Sequence, residues 1–284
     1  MKTPVASSDR GQGPYLRRFS NLDRALHLAV VVSFFGLVMT GIPLHFSHTR
    51  WAQAIMRLHG GADSSSIIHR VCAIITFGYF FTHIGSVFVR AARSDNWTSF
   101  FWGPRSMVPQ PKDVRDIFQM FKWFVGKGPP PQFDRFSYFE KFDYWAVFWG
   151  VAIIGGSGLV LWFPEFFASF LPGWSFNVAT IIHGDEALLA LGFIFTIHFF
   201  NGQLRPEKFP VDVVIFTGRA RAEYMKEEHP LEYERAEREG RLAELEVPAP
   251  SRAIYLWSVF AGMSLVALGF SLVVIIILTA LFAH

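Results

Sequence analysis

Five stretches of the chain are almost free of charge and rich in Phe, Leu, Ile and Val: Ala25 to Phe46, Ile67 to Val89, Tyr144 to Phe163, Val178 to Phe200 and Ala253 to Ala283. Each is long enough to cross a hydrocarbon core of about 30 Å, which takes roughly 20 helical residues. Lipid offers no partner to open backbone donors and acceptors, so such runs span as helices with their hydrogen bonds closed internally. The fifth run is longer than a crossing requires and is expected to tilt or to begin at the interface. It carries no charged group before His284, and Gly262, Ser264 and Gly269 would let it approach a neighbouring helix closely. The pattern predicts an all-α integral membrane protein: a four-helix bundle plus a fifth, C-terminal transmembrane helix.

The polar segments between the runs divide the chain into a short N-terminal segment (1–24), a four-helix membrane domain (25–203) with a long connection (93–142), a charged segment (204–252) and the fifth helix (253–284). In the long connection Val114, Ile117, Phe118, Phe121, Phe124 and Val125 recur at helical spacing between charges, which predicts an amphipathic helix at the membrane surface, ended by Gly128 and three prolines. Arg219 to Glu246 is dense in Glu, Arg and Lys and predicts a solvated helix closed by Pro248 and Pro250.

Composition agrees, with 51% hydrophobic and 17% aromatic residues among 284. The net charge of +3 is small, but its distribution is uneven. Arg50, Arg57 and Arg70 flank one side, whereas Arg17, Arg18, Arg24, Arg90, Arg93, Lys122, Lys141 and Arg205 gather on the other. The positive-inside rule then puts the N-terminus and both large polar segments in the cytoplasm and the C-terminus outside, as for a multi-pass protein of a bacterial inner membrane. Nothing suggests nucleic-acid binding. The N-terminal residues lack an apolar core followed by a small-residue cleavage site, so no removable signal peptide is expected. Cys72 stands alone, which excludes an intramolecular disulfide and covalent haem attachment through C-x-x-C-H.

Ionisable side chains within apolar spans are costly and point to function. His69 and His83 lie in the second run and His183 and His198 in the fourth, at intervals of 14 and 15 residues. On a helix rising 1.5 Å per residue, such gaps separate two imidazoles by about 21 to 22 Å on roughly one face. Two neutral imidazoles from facing helices are what an electron-transfer haem iron needs as axial ligands, so the pattern predicts two stacked, non-covalent b haems. With the helices running alternately up and down, His69 and His183 meet near the outside. On the cytoplasmic side His198 has two candidate partners, His27 and His83, and spacing alone favours His83. His45, His48 and His59 are shallow and read as interface residues. Asp185 and Glu186 follow His183 after Gly184, where they would neutralise Arg70, bond to a ligand edge or carry protons. Gly78, Gly150, Gly155, Gly156, Gly158 and Gly192 remove side chains where a flat macrocycle needs room.

The run from Arg18 through Phe19, Ser20, Asn21, Leu22, Asp23 and Arg24 to His27 resembles the start of the gamma, cytochrome b subunit of respiratory formate dehydrogenases. The likeness continues in Ile67-Ile68-His69, in Ile181-Ile182-His183 with His198, and in His229-Pro230 followed by Tyr233, so that it covers roughly residues 17 to 240. The chain is also similar to the b-type cytochromes of nickel-iron hydrogenases and thiosulfate reductases. In that family one ligand comes from the first span, one from the second and two from the fourth. The resemblance therefore implies His27 and His198 as ligands of a cytoplasmic haem, and His69 and His183 of an outer one. His83 itself, the 15-residue interval and the fifth span depart from the formate dehydrogenase pattern.

In the resembled family the segment before the third span helps to bind menaquinone. Quinone chemistry needs proton carriers beside a flat apolar slot, which makes Ser137, Glu140, Lys141 and Asp143, among Phe136, Tyr138, Phe139, Phe142, Tyr144 and Trp145, the candidates for menaquinone or ubiquinone. The expected function is a di-haem membrane subunit of a respiratory oxidoreductase. It would pass electrons between the quinone pool and a periplasmic iron-sulfur or multihaem cytochrome subunit. The competing expectation is a haem-free transporter or channel whose histidines and acids relay protons.

Overall fold

The computed structural model of the protein describes residues 13–282. The beginning of the N-terminal segment, where a signal peptide was not expected, lies outside the described residues, as do Ala283 and His284. Among the described residues, five helices are long and apolar enough to cross a membrane: Asn21–His45, Ala62–Ala92, Tyr138–Trp162, Trp174–Leu204 and Arg252–Phe282. They are called the first to fifth spans. Each contains its expected apolar run nearly whole and extends it by a few polar residues at an end.

The chain folds into two compact units. One gathers Ala25–Trp97, Phe139–Asp212 and Val259–His284, and therefore most of the five spans. The other unites the N-terminal segment with Thr98–Tyr138 and Val213–Ser258, three segments far apart in sequence.

In the spanning unit, Val38 and Ile42 of the first span, Leu191, Phe195 and Phe199 of the fourth, and Val266 and Leu272 of the fifth form one core. Gly269 permits this close approach, because a Cβ there would stand 2.7 Å from the Phe195 ring. The third span meets the second through Phe80 and Phe148, whose rings lie 5.1 Å apart at 67°. The outward faces carry exposed Leu28, Val32, Phe81, Phe88, Trp149 and Leu189, as surfaces solvated by lipid do.

The spans are not uniform α-helices. Val151–Gly155 in the third, and Ile194–His198 and Phe200–Leu204 in the fourth, are wide π-helical turns. A π turn absorbs one extra residue, so the 15-residue step from His183 to His198 brings its second imidazole round about as a 14-residue step would.

The second unit is built on a small sheet that the hydrophobic pattern does not foretell. The central strand β1 (Tyr15–Arg17) pairs antiparallel with β2 (Arg219–Arg221) and β3 (Glu246–Val247), with Leu16 opposite Ala220 on one side and Glu246 on the other. Leu16, Val214, Ala220, Ala222 and Met225 form its core. The single helix expected over Arg219 to Glu246 is instead three short ones, Ala222–Glu228, Pro230–Arg238 and Leu242–Leu245, between β2 and β3. Pro230 cannot donate to the preceding turn and starts a new helix, and Gly240, at φ +66°, turns the chain where a side chain would be strained. The amphipathic helix forms over Pro111–Phe124, opened by Pro111 and a reciprocal cap between Gln110 and Asp113.

Candidate functional site

The first imidazole pair comes together between the second and fourth spans. The rings of His69 and His183 lie 6.1 Å apart, centroid to centroid, at 70°. A metal held by two imidazoles at about 2.0 Å from each nitrogen puts the ring centroids about 6 Å apart, so the spacing fits two axial ligands of one ion. Two imidazoles are too few for the closed four-ligand site of a bare structural metal, and are the number that a porphyrin-bound iron takes.

Each ring is held from behind by its Nδ1. That of His183 is 2.9 Å from the Ile154 carbonyl and 3.4 Å from Ser157 Oγ. Ile154 belongs to the π turn of the third span. The Nδ1 of His69 is 3.0 Å from Thr40 Oγ1, and the Thr40 hydroxyl donates in turn to the Gly36 carbonyl at 2.6 Å. Both Nδ1 atoms therefore carry the proton, and both Nε2 lone pairs are left to coordinate. Two glycines make room for the rings: a Cβ at Gly41 would stand 2.9 Å from His69 Cε1, and one at Gly158 3.0 Å from His183 Cε1. Of the glycines singled out in the sequence, Gly158 thus yields to an imidazole and Gly155 to the Phe77 ring.

At the other end of the fourth span, His198 Nδ1 lies 2.8 Å from Asp143 Oδ2. A carboxylate there accepts a hydrogen bond from Nδ1–H, so this ring too presents Nε2. His27 of the first span lies within electrostatic range of His198. His83 is arranged differently, with its Nε2 2.8 Å from the Tyr144 hydroxyl and its ring at 73° to that of Tyr144. The structure thus leaves His27 within electrostatic range of His198, and joins Nε2 of His83 to a phenol.

Of the four residues considered for a quinone, Asp143 is engaged by His198, while Lys141 and Ser137 are buried. Glu140 is half-buried near the start of the third span. The acids after His183 do not pair with Arg70: Glu186 accepts from Trp149 Nε1 at 3.3 Å, and the Arg70 guanidinium lies over the Trp162 ring at 5.7 Å. His59 Nδ1 is 3.2 Å from Ser65 Oγ at the start of the second span, and the His45 ring packs edge-on against Phe46 at 4.9 Å.

The second unit holds an ionic network that joins the two ends of the motif noted in the sequence. Arg18 and Arg135 both pair with Glu232, the latter at 2.7 Å. The Arg18 guanidinium also lies 3.0 Å from His229 Nε2, whose Nδ1 donates to the Asp134 carbonyl at 2.8 Å. Asp134 in turn receives Arg235. Burial alone would raise the Glu232 carboxyl, but Arg18 and Arg135 outweigh it and hold the group below its ordinary value. The sequence marks Arg18 by its charge and by resemblance and His229 by resemblance alone, and gives no signal for Arg135 or Glu232. Thr40 and Gly41 also escaped notice, although a small polar pair in an apolar run, facing a histidine on the next span, is the signal that would have found them.

Comparison with known proteins bears on this geometry. The family described as prokaryotic cytochrome b561 matches residues 18–202, a range that includes His27, His69, His83, His183 and His198. The chain is 20% identical, over 171 residues, to the cytochrome b556(Fdn) subunit of the nitrate-inducible formate dehydrogenase of Escherichia coli K12, covering 60% of this chain and 70% of that protein. Proteins of the same description from Escherichia coli O157:H7 and Shigella flexneri match to the same extent.

Proposed function

The chain belongs to the prokaryotic cytochrome b561 family, and from that premise we propose that it is the di-haem b-type membrane subunit of a quinone-linked respiratory oxidoreductase. His69 and His183 would hold an outer haem b, and His27 and His198 an inner one. Bound haem b supplies reversible one-electron transfer at its iron. The observation that carries the reading is the 6.1 Å imidazole pair, with both Nδ1 atoms anchored to oxygen and both Nε2 atoms free of those bonds.

The chain's own residues do the positioning. Thr40, the Ile154 carbonyl and Asp143 fix tautomer and ring direction, so the ligands do not rearrange when charge changes. Asp143 is assigned to His198. Ser137, Glu140 and Lys141 are the proposed quinone-side groups, in menaquinone or ubiquinone chemistry, and His83 of the second span meets Tyr144 of the third. The charge asymmetry supports a cytoplasmic N-terminal segment and an outer His69–His183 pair, which would face a periplasmic iron-sulfur or multihaem cytochrome subunit.

Reduced-minus-oxidised absorbance of the purified chain, with haem extracted and counted, tests the reading. Two non-covalent b haems per chain are expected. A protein that binds none would overturn the reading in favour of the haem-free proton-relaying alternative.

A further inference from the structure

The helix Pro111–Phe124 is turned inside out for a protein surrounded by water. Its acids face inward: Asp113 and Asp116 are 7% and 9% exposed, while Phe118, Phe121 and Phe124 are 64%, 63% and 67% exposed. Val114 and Val125 extend the same exposed stripe at helical spacing.

The inversion is built in by named contacts. The segment after the helix folds back along its polar side, where Gln119 Nε2 donates to the Pro129 carbonyl at 2.7 Å and Lys112 Nζ to the Gln132 carbonyl at 2.8 Å. Lys112 also pairs with Asp116. At the start of the helix, Gln110 Nε2 donates to the Gly103 carbonyl at 2.9 Å. With its polar side fastened to its own unit, the helix turns its phenylalanine face outward.

What covers that face follows from the connection around it. The segment leaves the second span after Ala92 and enters the third at Tyr138, so both its ends lie at one membrane surface. Exposed Arg115, Lys122 and Lys127 stand beside the stripe, and Trp97 and Trp102, each 56% exposed, precede it. Exposed phenylalanines, tryptophans and cations are together the chemistry of an acidic lipid interface.

We propose that Pro111–Phe124 is a membrane-surface anchor, with Val114, Phe118, Phe121, Phe124 and Val125 seated among acyl chains and Arg115, Lys122 and Lys127 on acidic headgroups. The anchor would hold the polar segments of the chain against the bilayer independently of the haem ligands.

The test uses the full-length, haem-loaded chain in nanodiscs of phosphatidylcholine with or without phosphatidylglycerol, doped with doxyl-labelled phosphatidylcholine. A Cys72→Ala background carries Phe118→Cys or, as an aqueous control, Glu237→Cys, each labelled with an environment-sensitive fluorophore. Unchanged haem content certifies the fold of each variant. The label at position 118 is expected to be quenched by the doxyl lipid and shielded from iodide, with the reverse at 237. Quenching should rise with phosphatidylglycerol, and Arg115→Glu with Lys122→Glu should abolish that rise. Iodide access at 118, or shielding from iodide without lipid quenching, as under a protein partner or a second copy, would overturn the anchor. Insensitivity to phosphatidylglycerol would overturn the headgroup assignment.

Discussion

At the residue scale, the imidazoles differ less in position than in which nitrogen is occupied. His69, His183 and His198 each give Nδ1 to an oxygen, whereas His83 gives Nε2 to Tyr144. Under the proposed pairing, His69→Ala and His183→Ala each remove the same haem, and His27→Ala removes the other while His83→Ala keeps both. Spectral titration of the four variants checks this, and loss of a haem from His83→Ala would reassign the inner ligand. The carboxylate on His198 makes a separate forecast. A negative acceptor on Nδ1 strengthens the imidazole as a donor and favours the oxidised iron, so Asp143→Asn should raise the midpoint potential of one haem and leave haem content unchanged. A potentiometric titration with two components resolves it, and two unshifted components would remove Asp143 from that role.

At the scale of elements, what matters is how closely the spans approach around the rings. Gly41 and Gly158 sit on the first and third spans, and an added methyl at either would press on an imidazole of the second or fourth. A Cβ this close obliges a ring that is itself pinned by hydrogen bonds to shift, so Gly41→Ala and Gly158→Ala should each lower occupancy of the haem proposed at His69 and His183. Occupancy at the other pair should be unchanged. Haem counting after mild detergent extraction measures this. The π turns act at the same scale, since Val151–Gly155 presents the Ile154 carbonyl to His183 and Ile194–His198 absorbs the extra residue before His198.

At the scale of the whole molecule, three segments remote in sequence close into one unit around a buried ionic network. A Glu232 carboxyl held below its ordinary value contributes stability that is fully present above that ordinary value and is lost as pH falls through the lower, folded one. Acid should therefore loosen this unit before it disturbs the spans. Limited proteolysis between Thr98 and Tyr138 across an acid pH series is expected to show the transition in the wild type. Glu232→Gln should be cleaved more readily at neutral pH, with a flatter response to acid. A wild-type acid profile in that variant would mean that the network carries no such linkage. Because Arg18 is 3% exposed, removing its partner leaves a buried guanidinium without its full charge balance, a change that typically costs about 3 to 5 kcal/mol.

The sequence by itself determined the five spans, the exposed aromatic helix of the long connection and the histidines worth examining. These follow from length, periodicity and the cost of polar groups in lipid, all of which act locally along the chain. Tertiary structure alone decided which nitrogen each ring commits, that Asp143 serves His198, and that Arg18, Arg135, Glu232 and His229 meet. Those outcomes depend on where separate helices bring individual oxygens and glycines, and two residues far apart in sequence leave no periodic trace of a contact. The same holds for the small sheet, where β1 is three residues long and pairs with strands some two hundred residues away. Its pattern is too short to be told from a loop until its partners are beside it.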